Sequence, residues 1–132
     1  MKLKILHLED SVMKHLSILK AIEKAVAVEV DWVTDMASGI EKIDKAITNG
    51  VPYDLAITDM HYPLSPGVKA DWEAGDFFVD VVRQRYDNLP VIICSTHNMK
   101  NPKAYGCVWF NELNDWEEMF ICTCYDISSK CN

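Results

Sequence analysis

The sequence predicts a parallel α/β fold, with five strands in one sheet and helices on both of its faces. Short apolar runs alternate along the chain with longer segments of helical period, the pattern of strands joined by helical crossovers. The runs at residues 2–8, 53–59 and 91–94 are largely apolar, as expected of strands that helices cover on both sides. The chain has 132 residues, the size of one ordinary domain, so we expect a single domain over residues 1–132.

The first predicted strand and helix occupy the amino-terminal part of the chain. Residues 2–8 form a buried strand, and Asp10 or Ser11 can cap the helix that follows, which ends near Ala27. Lysines and Glu23 lie between the apolar positions of this helix. The apolar positions keep a helical period: Val12, Leu16, Leu19, Ile22 and Val26.

The second strand and helix lead into the third strand. Residues 28–33 alternate apolar with acidic side chains, which is typical of a strand with one face near solvent. Thr34 or Asp35 can cap a second helix, which ends at Asn49–Gly50. Residues 53–59 then form a buried strand that stops at an acid.

The middle of the chain combines a long connection with a third helix. Residues 60–75 contain two prolines and two glycines without a sustained period, so we expect a long loop. Phe77 lies on a third helix that runs to about Tyr86, before the buried strand at 91–94. Residues 96–105 are too few, and too rich in asparagine and proline, for a full fourth helix, which we expect to be short or missing.

The carboxyl-terminal part predicts one more strand and one more helix. Residues 107–110 form a short last strand, and Asn111 can cap the final helix. The inner face of this helix is predicted to hold Leu113, Trp116, Phe120, Thr123 or Cys124, and Ile127.

Charge and hydropathy exclude several classes of function. Lys+Arg number 13 against 20 for Asp+Glu, a formal net charge of −7, which argues against a nucleic-acid binder and against attachment to anionic membranes. The amino terminus has too short an apolar stretch for a signal peptide, and no run approaches membrane-spanning length. We therefore expect a cytoplasmic protein.

Three carboxylates follow two of the predicted strands. Glu9 and Asp10 come after the first strand and Asp59 after the third, so a parallel sheet would bring them to one edge. Carboxylates this close repel by about 4 kcal/mol per pair at 4 Å and an effective dielectric of 20, which a bound cation would relieve. Oxygen ligands favour Mg²⁺ over zinc. The open alternative is that Glu9 and Asp10 cap a helix and Asp59 starts a turn.

The same acids predict a chemistry toward phosphorus. A carboxylate beside Mg²⁺ can attack a phosphoryl group and form an aspartyl phosphate. Ser95, at the end of the next strand, could donate a hydrogen bond to such a group. Ser95 could equally be an ordinary serine at a strand end or helix cap.

These features together resemble a response-regulator receiver domain of two-component signalling. The resemblance rests on the pair Glu9 and Asp10, on Asp59, on the run Pro90–Ser95, and on Gly106 before the last strand, and it covers essentially the whole chain. It implies a doubly wound, flavodoxin-like fold.

The resemblance also implies roles for the site residues. Asp59 would be the phosphoacceptor and Ser95 the switch hydroxyl, while Glu9, Asp10, Asp59 and the main-chain carbonyl of His61 would hold Mg²⁺. The implied phosphoryl donor is a phosphohistidine on a histidine kinase or phosphotransfer protein.

Three departures from the family pattern alter this expectation. The family lysine at the end of the last strand is replaced by Phe110, the loop at 60–75 is expanded, and the crossover at 96–105 is shortened. Three lysines on predicted loops could supply an ammonium instead: Lys69, Lys100 and Lys103. Because loop lysines are ordinarily solvated, we predict that alanine at Lys100 or Lys103 does not abolish phosphorylation.

Three functions remain open from the sequence. The first is a stand-alone receiver that is phosphorylated at Asp59 with Mg²⁺ and acts on a downstream protein, without being an enzyme beyond self-catalysed phosphoryl transfer. The second is a receiver that acts without phosphorylation as a protein-interaction module. A remote third is a Mg²⁺-dependent nucleic-acid enzyme of the topoisomerase-primase type, suggested by Glu9, Asp59 and the polar residue His61.

Overall fold

A computed structural model describes residues 2–131 of the chain. In these residues the elements, in chain order, are β1 (Leu3–Leu8), α1 (Val12–Glu23), β2 (Val28–Val33), α2 (Met36–Thr48), β3 (Leu55–Thr58), β4 (Tyr62–Pro63), β5 (Ala70–Asp71), α3 (Ala74–Arg85), β6 (Val91–Ser95), β7 (Gly106–Trp109) and α4 (Trp116–Cys131). None of these helices is both long and apolar enough to cross a membrane.

Five parallel strands form the main sheet, in the order β2-β1-β3-β6-β7. The chain steps from β1 outward to β2 and then returns to the other side of β1 with β3, so the winding reverses between β1 and β3. A reversal of this kind opens a crevice at the carboxyl ends of the two strands. The predicted five-stranded parallel sheet is confirmed. The crevice lies at the carboxyl ends of β1 and β3, where Glu9 and Asp59 follow the two strands.

Helices cover both faces of the sheet, as predicted. Ile43 of α2 and Phe78 of α3 belong to the core on one face, and Ile18 of α1 and Phe120 of α4 belong to the core on the other. The central strands β1, β3 and β6 are therefore enclosed on both sides, which explains their runs of apolar residues.

The buried face of α1 differs from the predicted one. Val12 and Leu16 were predicted inside but are 54% and 50% exposed, whereas Lys14 and His15 are buried. The helix is turned because these two polar side chains have partners beneath it: Lys14 Nζ donates to the Cys94 carbonyl at 2.7 Å, and the ring of His15 contacts that of His7. At the start of this helix, polar contacts and not the apolar residues determine which face is buried.

The predicted loop at residues 60–75 contains structure that the sequence pattern missed. Tyr62–Pro63 and Ala70–Asp71 pair as a short antiparallel hairpin. The third helix, α3, begins at Ala74, three residues before Phe77, which was predicted to lie on it. Strands of two residues are too short to carry a period. Tyr62 is completely buried, so it anchors the hairpin to the core.

The shortened crossover has no helix. Residues 96–105 form bends, a turn and irregular chain, and Tyr105 N donates to Val91 O at 2.8 Å as the chain enters β7. The final helix starts at Trp116 and not at Asn111, whose side chain instead accepts from Leu113 N within a turn. Leu113 is 95% exposed, so its predicted place on the inner face is wrong, whereas Phe120 is buried as predicted.

Candidate functional site

The three predicted acids meet at the crevice. One carboxylate oxygen from each of Glu9, Asp10 and Asp59 lies within 4.8 Å of the others. Glu9 is buried at 1% exposure, Asp59 is 15% exposed, and Asp10 faces solvent. The cluster therefore runs from the protein interior to its surface, with Asp59 between the two extremes.

Main-chain hydrogen bonds hold the two strand ends side by side. Asp59 N donates to Leu8 O at 3.0 Å, which ties the end of β3 to the end of β1. The indole of Trp32 donates to the Glu9 carbonyl at 2.7 Å, and Met60 N donates to Asp59 Oδ1 at 2.8 Å. Both acids consequently sit on backbone that the sheet positions.

A second layer supports Asp59 from below. Thr58 Oγ1 donates to the Asp59 carbonyl at 2.8 Å and lies 2.6 Å from the hydroxyl of Tyr62. Because the single proton of Thr58 is directed to that carbonyl, the Tyr62 hydroxyl is the donor in the second contact. Burial raises the pKa of Tyr62 well above its ordinary value, so this donor stays protonated.

Lys14 enters this pocket, which the sequence predicts to be purely acidic. Its ammonium lies 2.9 Å from Asp59 Oδ1 and 3.0 Å from Glu9 Oε1, and the side chain is 7% exposed. The three loop lysines proposed as substitutes are all exposed, and Lys103 pairs at 3.1 Å with Asp80 on the surface. The pocket cation comes from the first turn of α1 and not from a loop.

The pocket perturbs the titration of its charged groups. Burial raises the pKa of Glu9 to about 7, and the Asp59 carboxylate adds to this effect while Lys14 opposes it. Burial alone would lower the pKa of Lys14, but the carboxylates of Asp59 and Glu9 outweigh it and raise that pKa. Lys14 therefore remains an ammonium at neutral pH.

A cavity of about 400 Å³ opens outward from these charges. Ser95 lines it at the end of β6; the side chain is buried, and Ser95 Oγ accepts from His97 N at 3.1 Å. The lining also includes His61 and Trp72, whose rings stack with centroids 4.0 Å apart. The cavity therefore brings together all five predicted site residues, namely Glu9, Asp10, Asp59, His61 and Ser95.

Two histidines lie behind the pocket. His7 Nδ1 and His15 Nδ1 are 2.8 Å apart, and the ring of His15 stacks on Trp32 with centroids 4.3 Å apart. Burial lowers the pKa of His7 to about 3, with smaller effects from His15 and Lys14. His7 is thus a packed neutral histidine.

Solved structures similar to this chain share one fold. The response regulatory domain of mrkE from Klebsiella pneumoniae matches with a TM-score of 0.72 at 10% identity over 97% of each chain. The phosphorylated cyanobacterial phytochrome response regulator RcpA matches with a TM-score of 0.71 at 17% identity over 93% of this chain and 91% of its own. The Mn²⁺-bound response regulator Rcp1 gives 0.63 at 15% identity over 90% and 89%. The chain has the fold of a response-regulator receiver domain.

No family model and no curated protein matches the sequence. Within the receiver fold, the place of the family lysine after the last strand is taken by Phe110, whose ring centroid lies 5.6 Å from Lys14 Nζ. The ring of Phe110 thus lies close to the ammonium of Lys14. A positive charge is present in the pocket, but it comes from α1 and not from the end of the last strand.

The acidic side chains of this receiver fold suit a hard divalent cation. Glu9 Oε1 is buried and lies 3.0 Å from Lys14 Nζ. Three carboxylates against one ammonium leave a net charge of −2 when all are ionised, which a divalent ion would neutralise. The donor set fits Mg²⁺, but two of its oxygens already contact an ammonium.

Proposed function

We propose that this protein is a receiver of two-component signalling in the cytoplasm, phosphorylated on Asp59 by a partner histidine kinase or phosphotransfer protein. The observation that carries the proposal is the position of Asp59, a partly open carboxylate at the switch point of the sheet, inside a pocket with two further acids. Its contacts with Met60 N and Lys14 Nζ both use Oδ1, which leaves Oδ2 as the nucleophile.

The proposed reaction transfers a phosphoryl group between a nitrogen and an oxygen. Asp59 Oδ2 forms a bond to phosphorus while the bond from phosphorus to the histidine nitrogen of the donor breaks, and the imidazole leaves and takes up a proton. Mg²⁺ held by Glu9, Asp10, Asp59 and the His61 main-chain carbonyl would offset the charge on the phosphoryl oxygens.

Two side chains would then contact the phosphoryl group. The Ser95 hydroxyl accepts from His97 N, so its own proton is available for a phosphoryl oxygen. The Lys14 ammonium lies within hydrogen-bond distance of the reacting carboxylate and can supply the positive charge that Phe110 cannot. The acyl phosphate would act on a downstream protein.

A specific observation favours a second candidate, the receiver that works without phosphorylation. Lys14 already pairs with Asp59 and Glu9, so the pocket is held together without a metal or a phosphoryl group. Such a protein would act as an interaction module in one conformation. The third hypothesis, a nucleic-acid enzyme, has no support from the receiver fold of the similar structures.

Mass analysis after incubation with acetyl phosphate and Mg²⁺ separates the two candidates. We expect one phosphoryl adduct on the wild-type chain, loss of the adduct in Asp59→Asn, and an undiminished adduct in Asp80→Asn, which removes a surface carboxylate paired with Lys103. Absence of an adduct with acetyl phosphate, carbamoyl phosphate and phosphoramidate alike would overturn phosphorylation and leave the interaction module.

A further inference from the structure

The ammonium of Lys14 is surrounded by three oxygens. Nζ lies 2.7 Å from the Cys94 carbonyl, 2.9 Å from Asp59 Oδ1 and 3.0 Å from Glu9 Oε1. An ammonium has three protons and no lone pair, so three oxygen neighbours match its full donor capacity. The three oxygens therefore form a cation-binding site, and the ammonium of Lys14 occupies it.

Two of these three oxygens belong to the acidic cluster. Glu9 and Asp59 each offer one carboxylate oxygen to the cluster, and Lys14 Nζ contacts an oxygen of each, Glu9 Oε1 and Asp59 Oδ1. Any ion bound to both carboxylates would share them with an adjacent positive charge. The ammonium and a divalent cation are therefore competitors for the same oxygens.

We propose that Lys14 is an internal cation that occupies the metal position of this pocket, and that a divalent cation binds only when the ammonium moves away from Glu9. The inference rests on the proposed function in one respect, namely that this pocket uses a divalent cation. It assigns to Lys14 the control of when that cation enters.

The structure provides a route for the movement. Lys14 lies in the first turn of α1 beside the mouth of the cavity, which Met13, 76% exposed, and Ser17 also line. The lysine stem is long and flexible, so Nζ can leave Glu9 and remain close to the pocket. In this position it would still lie near the Asp59 carboxylate and the ring of Phe110.

The test is direct binding of Mg²⁺ alone, without a phosphoryl donor. Trp32 reports on the site because its indole donates to the Glu9 carbonyl, so tryptophan fluorescence and titration calorimetry can both be used. We expect Lys14→Met to bind Mg²⁺ at least about tenfold more tightly than the wild type, because the competing charge is gone. Lys20→Met is the matched control, since it removes the same charge from an exposed position of the same helix and should bind as the wild type does.

Equal or weaker Mg²⁺ binding by folded Lys14→Met would overturn the proposal, and so would the same tightening in Lys20→Met. Lys14→Gln provides a second neutral variant with a polar end. If neither variant folds, NMR of the lysine ammonium groups in the wild type decides, because Lys14 must give a protected signal that saturating Mg²⁺ shifts or removes. A signal unchanged by Mg²⁺ overturns the proposal. None of these readouts requires an acyl phosphate, so a failure of Asp59 phosphorylation is recognised separately.

Discussion

Lys14 Nζ lies 2.9 Å from Asp59 Oδ1, so the proposed phosphoacceptor already has a positively charged partner. That partner comes from the helix after β1, whereas receiver domains are expected to supply it from the end of the last strand. The consequence is a pocket in which one ammonium contacts both the proposed phosphoacceptor and the buried acid Glu9. Stability, cation binding and phosphorylation should all depend on this side chain.

Removing the ammonium should destabilise the metal-free protein. In Lys14→Met the buried Glu9 carboxylate loses its nearest cation, and breaking a buried ion pair from one side costs on the order of 3 kcal/mol. Urea denaturation at neutral pH in the presence of a chelator measures this loss. The double variant Lys14→Met/Glu9→Gln should recover part of it, because no buried charge is then left unpaired.

Lys20→Met again provides the comparison, with an expected change in unfolding free energy within about 0.5 kcal/mol. An unfolding midpoint of Lys14→Met equal to that of Lys20→Met would mean that the pocket ion pairs do not stabilise the fold.

Gly75 is expected to be essential for the geometry of the Asp59 loop. A Cβ at this position would lie 2.4 Å from the Asp59 carbonyl oxygen and 2.9 Å from Met60 Cα, and neither backbone atom can move freely. Gly75→Ala should therefore lower the free energy of unfolding by about 2 kcal/mol, although helix propensity alone favours alanine. Thermal or urea denaturation measures whether Gly75→Ala lowers or raises the free energy of unfolding.

Gly106→Ala is the control for this substitution, since nothing lies within 4 Å of a Cβ there. Its stability should stay close to that of the wild type. A Gly75→Ala variant more stable than the wild type would show that the contact with Asp59 is not as close as described.

The surface lysines should not matter for phosphorylation. Lys103 is 62% exposed and pairs with Asp80, and Lys100 is exposed on the crossover, so neither reaches the pocket. Alanine at either position should leave the yield of acyl phosphate unchanged, whereas Lys14→Ala should alter it. Loss of the adduct in folded Lys103→Ala, measured by intact mass, would contradict this assignment of the ammonium.

The buried histidine predicts a specific dependence of stability on pH. His7 has a folded-state pKa of about 3, below the ordinary histidine value of about 6.5, so the folded protein favours the neutral ring. This contribution is present above pH 6.5 and is lost as the pH falls. For His7 alone the loss between pH 7 and pH 5 is roughly 2 kcal/mol.

Glu9 acts in the opposite direction over the same range. Its folded-state pKa is raised to about 7, so its contribution is present at low pH and is lost as the pH rises through 7. The pH dependence of the unfolding free energy should therefore be compared between the wild type and His7→Leu. The leucine fills the buried position with an apolar side chain that does not titrate. Parallel curves of unfolding free energy against pH for the two proteins would rule out the neutral buried histidine.

Much of the fold and the acidic cluster can be predicted from local pattern. Apolar runs mark β1 and β3, and the acids that end them must converge if the strands are parallel and adjacent. The placement of Glu9 and Asp59 follows from those two facts. Ser95 follows in the same way from the run before it.

Lys14 could not be found in this way. The helical period of the apolar residues predicts that Val12 and Leu16 lie on the buried face of α1, and a lysine between them is ordinarily exposed to solvent. Its burial depends on the Cys94 carbonyl, 80 positions away in the chain, and on two acids of other elements. One feature of the sequence could have pointed to Lys14: an acidic pocket with no assigned cation, together with a lysine three residues after the helix cap Ser11.

The hairpin of β4 and β5 was missed for a simpler reason, since two residues per strand cannot establish a period.

A crystal structure with Mg²⁺ and beryllofluoride, which mimics an acyl phosphate, tests the roles of Asp59 and Lys14 together. We expect beryllofluoride on Asp59, Mg²⁺ on Glu9, Asp10 and Asp59, and Lys14 Nζ moved away from Glu9 and hydrogen-bonded to a fluoride. Asp59 without beryllofluoride, and Lys14 still bridging Asp59 and Glu9, would contradict this expectation and would identify the pocket as a closed ion pair.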